Sequence, residues 1–144
     1  MSSYFEQFFE HTRFAIVGHS ARRPYPKLTY GALKRRGSTV FAVDPSAKEI
    51  EGDRAWPDLA SLPEPVEAVV VEVPPEETAD WIDRVAAAGV KHVWLHMKTD
   101  TPEALARAKA QGLEVRAGTC AVQYVDRAFP HNVHRFFRKI SGKW

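Results

Sequence analysis

The chain offers very little sulfur chemistry: one cysteine and two methionines among 144 residues. A lone thiol cannot close an internal disulfide, which excludes disulfide-stapled scaffolds and leads us to expect a reducing, cytoplasmic setting. Long hydrophobic runs are missing as well. The longest, such as Ala68 to Val71, are strand-sized, whereas a membrane-spanning helix needs about 20 consecutive apolar residues. The first ten residues carry acids where a secretory signal needs a basic region and an apolar core, so no signal is expected. An excess of one charge sign is also lacking. Twenty Lys and Arg stand against 18 Asp and Glu, for a formal net charge of +2, which excludes a self-repelling disordered chain. With 44% hydrophobic residues the chain can bury one sizeable core but not two, so a single domain spanning 1–144 is expected.

What is present is a repeating alternation. Phe5, Phe8 and Phe9 at helical spacing predict a short N-terminal helix with one apolar face. Phe14 to Val17 is a continuous apolar run closed by Gly18, the pattern of a strand covered on both faces. The residues from Lys27 to Arg36 suit a helix with Leu28, Ala32 and Leu33 on its inner side and Gly37 as its stop. Thr39 to Val43 is a second strand. The proline-punctuated stretch from Ser46 to Pro65 predicts only short helical turns. Ala68 to Val73 is a third strand, Glu76 to Ala88 a helix stopped by Gly89, and His92 to Leu95 a fourth strand. Thr101-Pro102-Glu103 opens another helix in the order of cap residue then proline. That helix ends at Gly112, and Leu113 to Val115 is a fifth strand. The basic tail from His131 to Trp144 carries Val133, Phe136, Phe137 and Ile140 at helical spacing and predicts a terminal helix.

Apolar strands alternating with helices argue for an α/β, three-layer, doubly wound, mostly parallel sheet of Rossmann-like architecture. Ligands in such sheets bind beyond the carboxyl ends of the strands, where strand order reverses. That rule nominates Gly18 to Lys27, Val43 to Lys48, Val73 to Glu76 and His96 to Thr101. In the first, Gly18 removes a β-carbon from a ligand's path, Ser20 supplies a hydroxyl donor, and Arg22, Arg23 and Lys27 surround a helix start with positive charge, an arrangement suited to a diphosphate. His19 borders this loop and is a further donor. The loop lacks the Gly-x-Gly-x-x-Gly of nicotinamide and flavin enzymes, although Asp44 stands where those enzymes keep a ribose-binding acid. Asp44-Pro45-Ser46 is equally a turn opener.

An ordered set of segments resembles the small CoA-binding domain proteins, similar to the nucleotide-binding domain of the succinyl-CoA synthetase α subunit. The set comprises Val17-Gly18-His19-Ser20 with Arg23-Pro24, then Val43-Asp44-Pro45 and Gly52, Leu59 to Pro63, and Val73-Pro74-Pro75-Glu76. It continues through Gly89 to Leu95 and Gly112 to Val115 before Cys120, covering roughly residues 14 to 125. The resemblance implies a Rossmann-like domain that holds CoA or an acyl-CoA by its adenosine and diphosphate. By position, Gly18, Ser20 and the start of the Lys27 helix would receive the phosphates. Val43, Asp44 and Lys48 would lie near the ribose, its 3′-phosphate or the adenine, and Val73 and Pro74 would flank the adenine or the pantetheine arm. The chain departs from the family pattern in two places that matter below. Asp44 stands where Asn is common, and Trp94-Leu95-His96-Met97-Lys98 stands where Trp-x-Gln-x-Gly is frequent.

No complete catalytic constellation is expected. Cys120 with His96 is the sole thiol–imidazole combination, and a free cysteine is more often a buried hydrophobe. His131 and His134 lack further ligands for a metal. Acids at Glu64, Glu67, Glu72, Glu76 and Glu77 interrupt any nucleic-acid-tracking basic stripe. The expected function is therefore non-catalytic binding of CoA or acyl-CoA, with no nucleic-acid or membrane partner. Alternatives are an NAD(P)-type dinucleotide binder and a module whose protein partner is gated by CoA, and a homodimer through Phe5, Phe8 and Phe9 stays open.

Overall fold

The computed structural model describes residues 4–20 and 25–119. In chain order it contains α1 (Tyr4–Phe8), β1 (Arg13–Gly18), α2 (Tyr25–Arg35), β2 (Thr39–Val43), β3 (Glu49–Ile50), β4 (Asp53–Trp56), β5 (Ala68–Glu72), α3 (Pro75–Ala87), β6 (His92–His96), α4 (Pro102–Ala110) and β7 (Glu114–Thr119). The strands form one sheet in the order β3-β4-β2-β1-β5-β6-β7. All pairings are parallel except the β3–β4 hairpin.

Why the central strands are apolar on both sides follows from the layers. Ala15, Val17, Val69, Val71, Val93 and Leu95 face α3 and α4, packing against Trp81, Ile82, Val85, Ala104 and Ala108. Phe14, Ile16, Ala68, Val70 and Trp94 face α1 and α2, packing against Phe8, Phe9, Tyr30 and Leu33. A parallel sheet covered twice leaves no face for water, so alternation disappears from the sequence. Fully burying each Val, Leu or Phe stabilises by about 1.5–3 kcal/mol.

The five-residue α1 is too short to persist on helical propensity. Its aromatic rings hold it instead: Phe8 and Phe9 lie 5.4 and 5.2 Å from the Trp94 ring, and Phe8 is 5.9 Å from Phe14. Phe8 is fully buried and Phe9 nearly so, so these two rings are spent in the chain's own core.

Two expectations need correction. The stretch after β2 does not settle into helical turns: Glu51 and Gly52, both at positive φ, close the β3–β4 hairpin, and β4 adds to the sheet edge through Ala42↔Ala55 and Val43↔Trp56. A tight turn between Ile50 and Asp53 outweighs the surrounding prolines, none of which lies inside the hairpin. Leu28 is not on the inner side of α2 but 39% exposed, and Thr29, Tyr30, Ala32 and Leu33 are among the buried residues. The helix begins at Tyr25, and Thr29 and Tyr30 carry polar groups inward that hydrophobicity alone does not flag.

Candidate functional site

Chain order runs outward from β1 to β2 on one side, then returns to β5 on the other. The reversal lies between β1 and β5, and a ligand crevice opens there beyond the carboxyl ends of the strands. Residues 18–20, 44–48, 73–77 and 96–99 form its described rim.

Gly18 sits at the end of β1, paired in register with Glu72. A β-carbon there would lie 2.4 Å from Pro26 Cγ and 2.9 Å from the Glu72 carbonyl oxygen. The missing side chain thus admits the Pro26 ring, and its first effect is to let α2 pack closely on the sheet. The sequence reading has that space open to a ligand; the structure fills it with the second residue of α2.

Asp44 is the polar centre of the rim. It is 2% exposed, and its carboxylate accepts four hydrogen bonds. Ser20 donates its backbone N–H at 2.8 Å and its hydroxyl at 2.5 Å to Oδ2. Ser46 donates its N–H at 2.9 Å and its hydroxyl at 2.6 Å to Oδ1. Burial pushes this carboxyl up, but the hydrogen bonds from Ser20 and Ser46 outweigh it and hold the pKa below the ordinary value. The turn-opening reading of Asp44-Pro45-Ser46 therefore holds, and the loops after β1 and β2 are clamped together through one side chain. The Ser20 hydroxyl, read from the sequence as a phosphate donor, donates to Asp44 instead.

The crevice is bridged on its α3 side. His19 Nε2 lies 2.7 Å from Glu77 Oε1, with the imidazole 14% exposed. α3 starts with Pro75 and carries Glu76 and Glu77 in its first turn, which makes that helix end hostile to an anion. α2 has no acid in its first turn, and Pro26 has no N–H, so the amides of Tyr25 and Lys27 with the exposed Lys27 side chain present the positive end. Val43 is buried at the end of β2, Lys48 is exposed before the hairpin, and Val73 and Pro74 are buried at the crevice edge.

Beneath the rim, on the α2 face, Glu72 is buried. Its Oε2 accepts from Thr29 Oγ1 at 2.9 Å and lies 3.3 Å from His96 Nδ1. The following turn closes through Thr99 N–H to the His96 carbonyl at 2.9 Å, with Lys98 at φ 69°, the conformation that favours glycine. Arg22, Arg23, Cys120, His131 and His134 lie outside the described residues. Among the described residues no group of three or more His, Cys, Asp or Glu could hold a metal ion, and no helix is long and apolar enough to cross a membrane.

The sequence reading named Ser46 only as part of a turn and missed Pro26, Thr29 and Glu77. Ser46 had a local signal, two residues after an aspartate across a proline. Glu77 had none, because its partner is 58 positions away.

A family model described as a CoA binding domain matches residues 12–125. The chain belongs to the CoA-binding domain family. Among solved structures, a hypothetical protein from Pyrococcus horikoshii OT3 is 25% identical with a TM-score of 0.76, covering 88% of this chain and 92% of that one. A Thermus thermophilus protein is 27% identical with a TM-score of 0.73, covering 84% and 93%. A dinucleotide-forming acetyl-coenzyme A synthetase from Ca. Korarchaeum cryptofilum, solved with phosphate and ADP, is 25% identical with a TM-score of 0.64. There the match spans 79% of this chain but 27% of the synthetase. No curated protein matches the chain. The Rossmann-like α/β architecture of this CoA-binding domain thus recurs both in small proteins and as one part of a large enzyme.

Proposed function

We propose that this CoA-binding domain takes CoA or an acyl-CoA across the β1–β5 crevice and holds it without transforming it. The observation that carries the reading is the saturated Asp44 carboxylate. Nicotinamide-type sites use an acid at the end of the second strand to accept the ribose hydroxyls. Here all four accepting positions of that acid are taken by Ser20 and Ser46, so a ribose finds no free acceptor on it. The same bonds fix the negative charge in place, leaving Lys48 as the exposed charge next along the loop.

Residue by residue, the diphosphate would sit at the start of α2, against the Tyr25 and Lys27 amides and the Lys27 side chain, with Arg22 and Arg23 from the preceding loop. Gly18, His19 and Ser20 shape that wall. Val43 would back the adenine, Lys48 would meet the 3′-phosphate, and Val73 with Pro74 would flank the pantetheine arm. CoA supplies a thiol or thioester at the far end of that arm. Glu72 and His96 are buried beneath the rim, where they support α2 and β6 rather than reach a thioester. A carrier or sensor role in the cytoplasm suits this arrangement.

The test is calorimetric titration with CoA, dephospho-CoA and NAD. Saturable one-to-one binding of CoA, weaker binding of dephospho-CoA and no binding of NAD support the reading. Tighter binding of NAD than of CoA overturns it.

A further inference from the structure

At the end of the sheet opposite the crevice, two imidazole rings adjoin. His11 lies between α1 and β1, and His92 is the first residue of β6. Their ring centroids are 4.5 Å apart and the rings tilt by 43°. Each ring has its Nδ1 turned onto a protein oxygen. His11 Nδ1 donates to the Phe8 carbonyl at 2.8 Å, since a carbonyl oxygen only accepts. His92 Nδ1 lies 2.9 Å from Glu114 Oε2 and is shielded from solvent, while the side chain as a whole is 30% exposed. Nε2 is therefore the available nitrogen on both rings. Among the described residues neither Nε2 meets a hydrogen-bond partner.

Metal-binding histidines are built this way. One ring nitrogen is tied to a backbone carbonyl or a carboxylate, which fixes ring and tautomer, and the other ligates. The spacing agrees. A zinc ion bound by two imidazole nitrogens at about 2.1 Å holds the ring centres roughly 5 Å apart, so a small rotation of the rings suffices. Charge around the pair comes from both signs. Glu114 lies against His92, and Glu67 reaches the residues after His11, its Oε1 accepting from Thr12 and Arg13. Arg116 on β7 is the opposing charge near His92, with its guanidinium over the Phe8 ring at 5.7 Å.

We propose that His11 and His92 together bind one divalent transition-metal ion of the zinc type through their Nε2 atoms, pinning the α1–β1 connection to β6. Two protein nitrogens are fewer than a closed structural centre carries. Water completes the coordination, and no group of three His, Cys, Asp or Glu among the described residues is needed. Imidazole nitrogens suit zinc, copper and nickel, whereas magnesium prefers oxygen donors. Bound metal stabilises the fold by mass action, because the unfolded chain no longer holds the two rings together. That matters most for α1, whose five residues depend on packing for their helix. The site lies away from the crevice and is independent of the CoA reading.

The experiment is calorimetric titration of the full chain with zinc chloride at pH 7.5, with magnesium chloride as the control. It is run on wild type, His11→Asn and His92→Asn. Asparagine keeps an amide nitrogen where Nδ1 stood and removes Nε2, so a donor toward Phe8 or Glu114 is retained. Wild type binds zinc and not magnesium, and each substitution weakens zinc binding by about tenfold or more. No zinc binding by wild type, equal binding of magnesium, or unchanged zinc affinity in either variant overturns the inference. Should a variant fail to fold, the histidine ring resonances of wild type decide. Trace copper(II) broadens those of His11 and His92 first, and broadening that begins at other histidines overturns the inference.

Discussion

Ser20 gives both its backbone N–H and its hydroxyl to a single oxygen of Asp44, at 2.8 and 2.5 Å. With Ser46 on the other oxygen, the end of β1 and the end of β2 share one buried anion. Replacing Asp44 by Ala strands the buried Ser20 donors, at a cost of about 1–3 kcal/mol, while water rescues the exposed Ser46 donors. Thermal unfolding of Asp44→Ala should show that loss together with weaker CoA binding. Asn is a partial substitute, since its amide nitrogen must face one pair of donors, so Asp44→Asn should fall between Ala and wild type.

Acid should weaken the same clamp. The Asp44 carboxyl is held below its ordinary value of 3.8, so its contribution is complete above that value and is lost as pH falls through the folded one. Denaturant titrations between pH 5 and pH 2 should show a steeper loss in wild type than in Asp44→Ala.

Gly18→Ala tests the close approach of α2. The new methyl meets Pro26 at 2.4 Å and a backbone oxygen at 2.9 Å, and overpacking of this kind costs about 1–3 kcal/mol. Since α2 must move to admit it, CoA affinity should drop with stability. Unchanged affinity would detach α2 from the ligand.

At the opposite end of the sheet, the His11 and His92 rings meet tilted, with centroids 4.5 Å apart. Burial, followed by the neighbouring His11, pushes the His92 pKa below the ordinary 6.5, against the pull of Glu114. The folded state therefore binds fewer protons than the unfolded state as pH falls below 6.5, and stability drops there until the folded value is passed. His92→Gln should flatten that part of the stability profile, and denaturant midpoints from pH 7.5 to 5 would show it.

Charge at Lys48 should discriminate between ligands. If it meets the 3′-phosphate, Lys48→Ala costs about 1 kcal/mol in CoA binding, roughly fivefold. The same substitution should leave dephospho-CoA affinity unchanged in parallel titrations.

The parallel sheet was legible because apolar runs such as Ala68 to Val71 and helix stops such as Gly89 are local signals. The β3–β4 hairpin was not, because Glu51 takes a positive φ without being Asn or Gly, and the hairpin is held by Asp53 reaching Tyr30 and Lys34 of α2. In the site, Gly18, His19, Ser20 and Asp44 were nominated by position, but the contacts they make come from other segments of the chain. Glu77 meeting His19 is a long-range pair that no spacing rule contains, and Pro26 filling Gly18 depends on how α2 docks on the sheet. Lys98 at φ 69° gives the physical reason for the glycine frequent at that place: the turn from His96 to Thr99 needs a left-handed residue.

The most direct test of the crevice is amide chemical-shift mapping during a CoA titration. The shifts should cluster at residues 18–20, 25–28, 44–48 and 73–77. A cluster instead at the cavity of about 390 Å³ lined by Tyr30, Val40, Phe41, Arg54 and Trp56 would contradict the account.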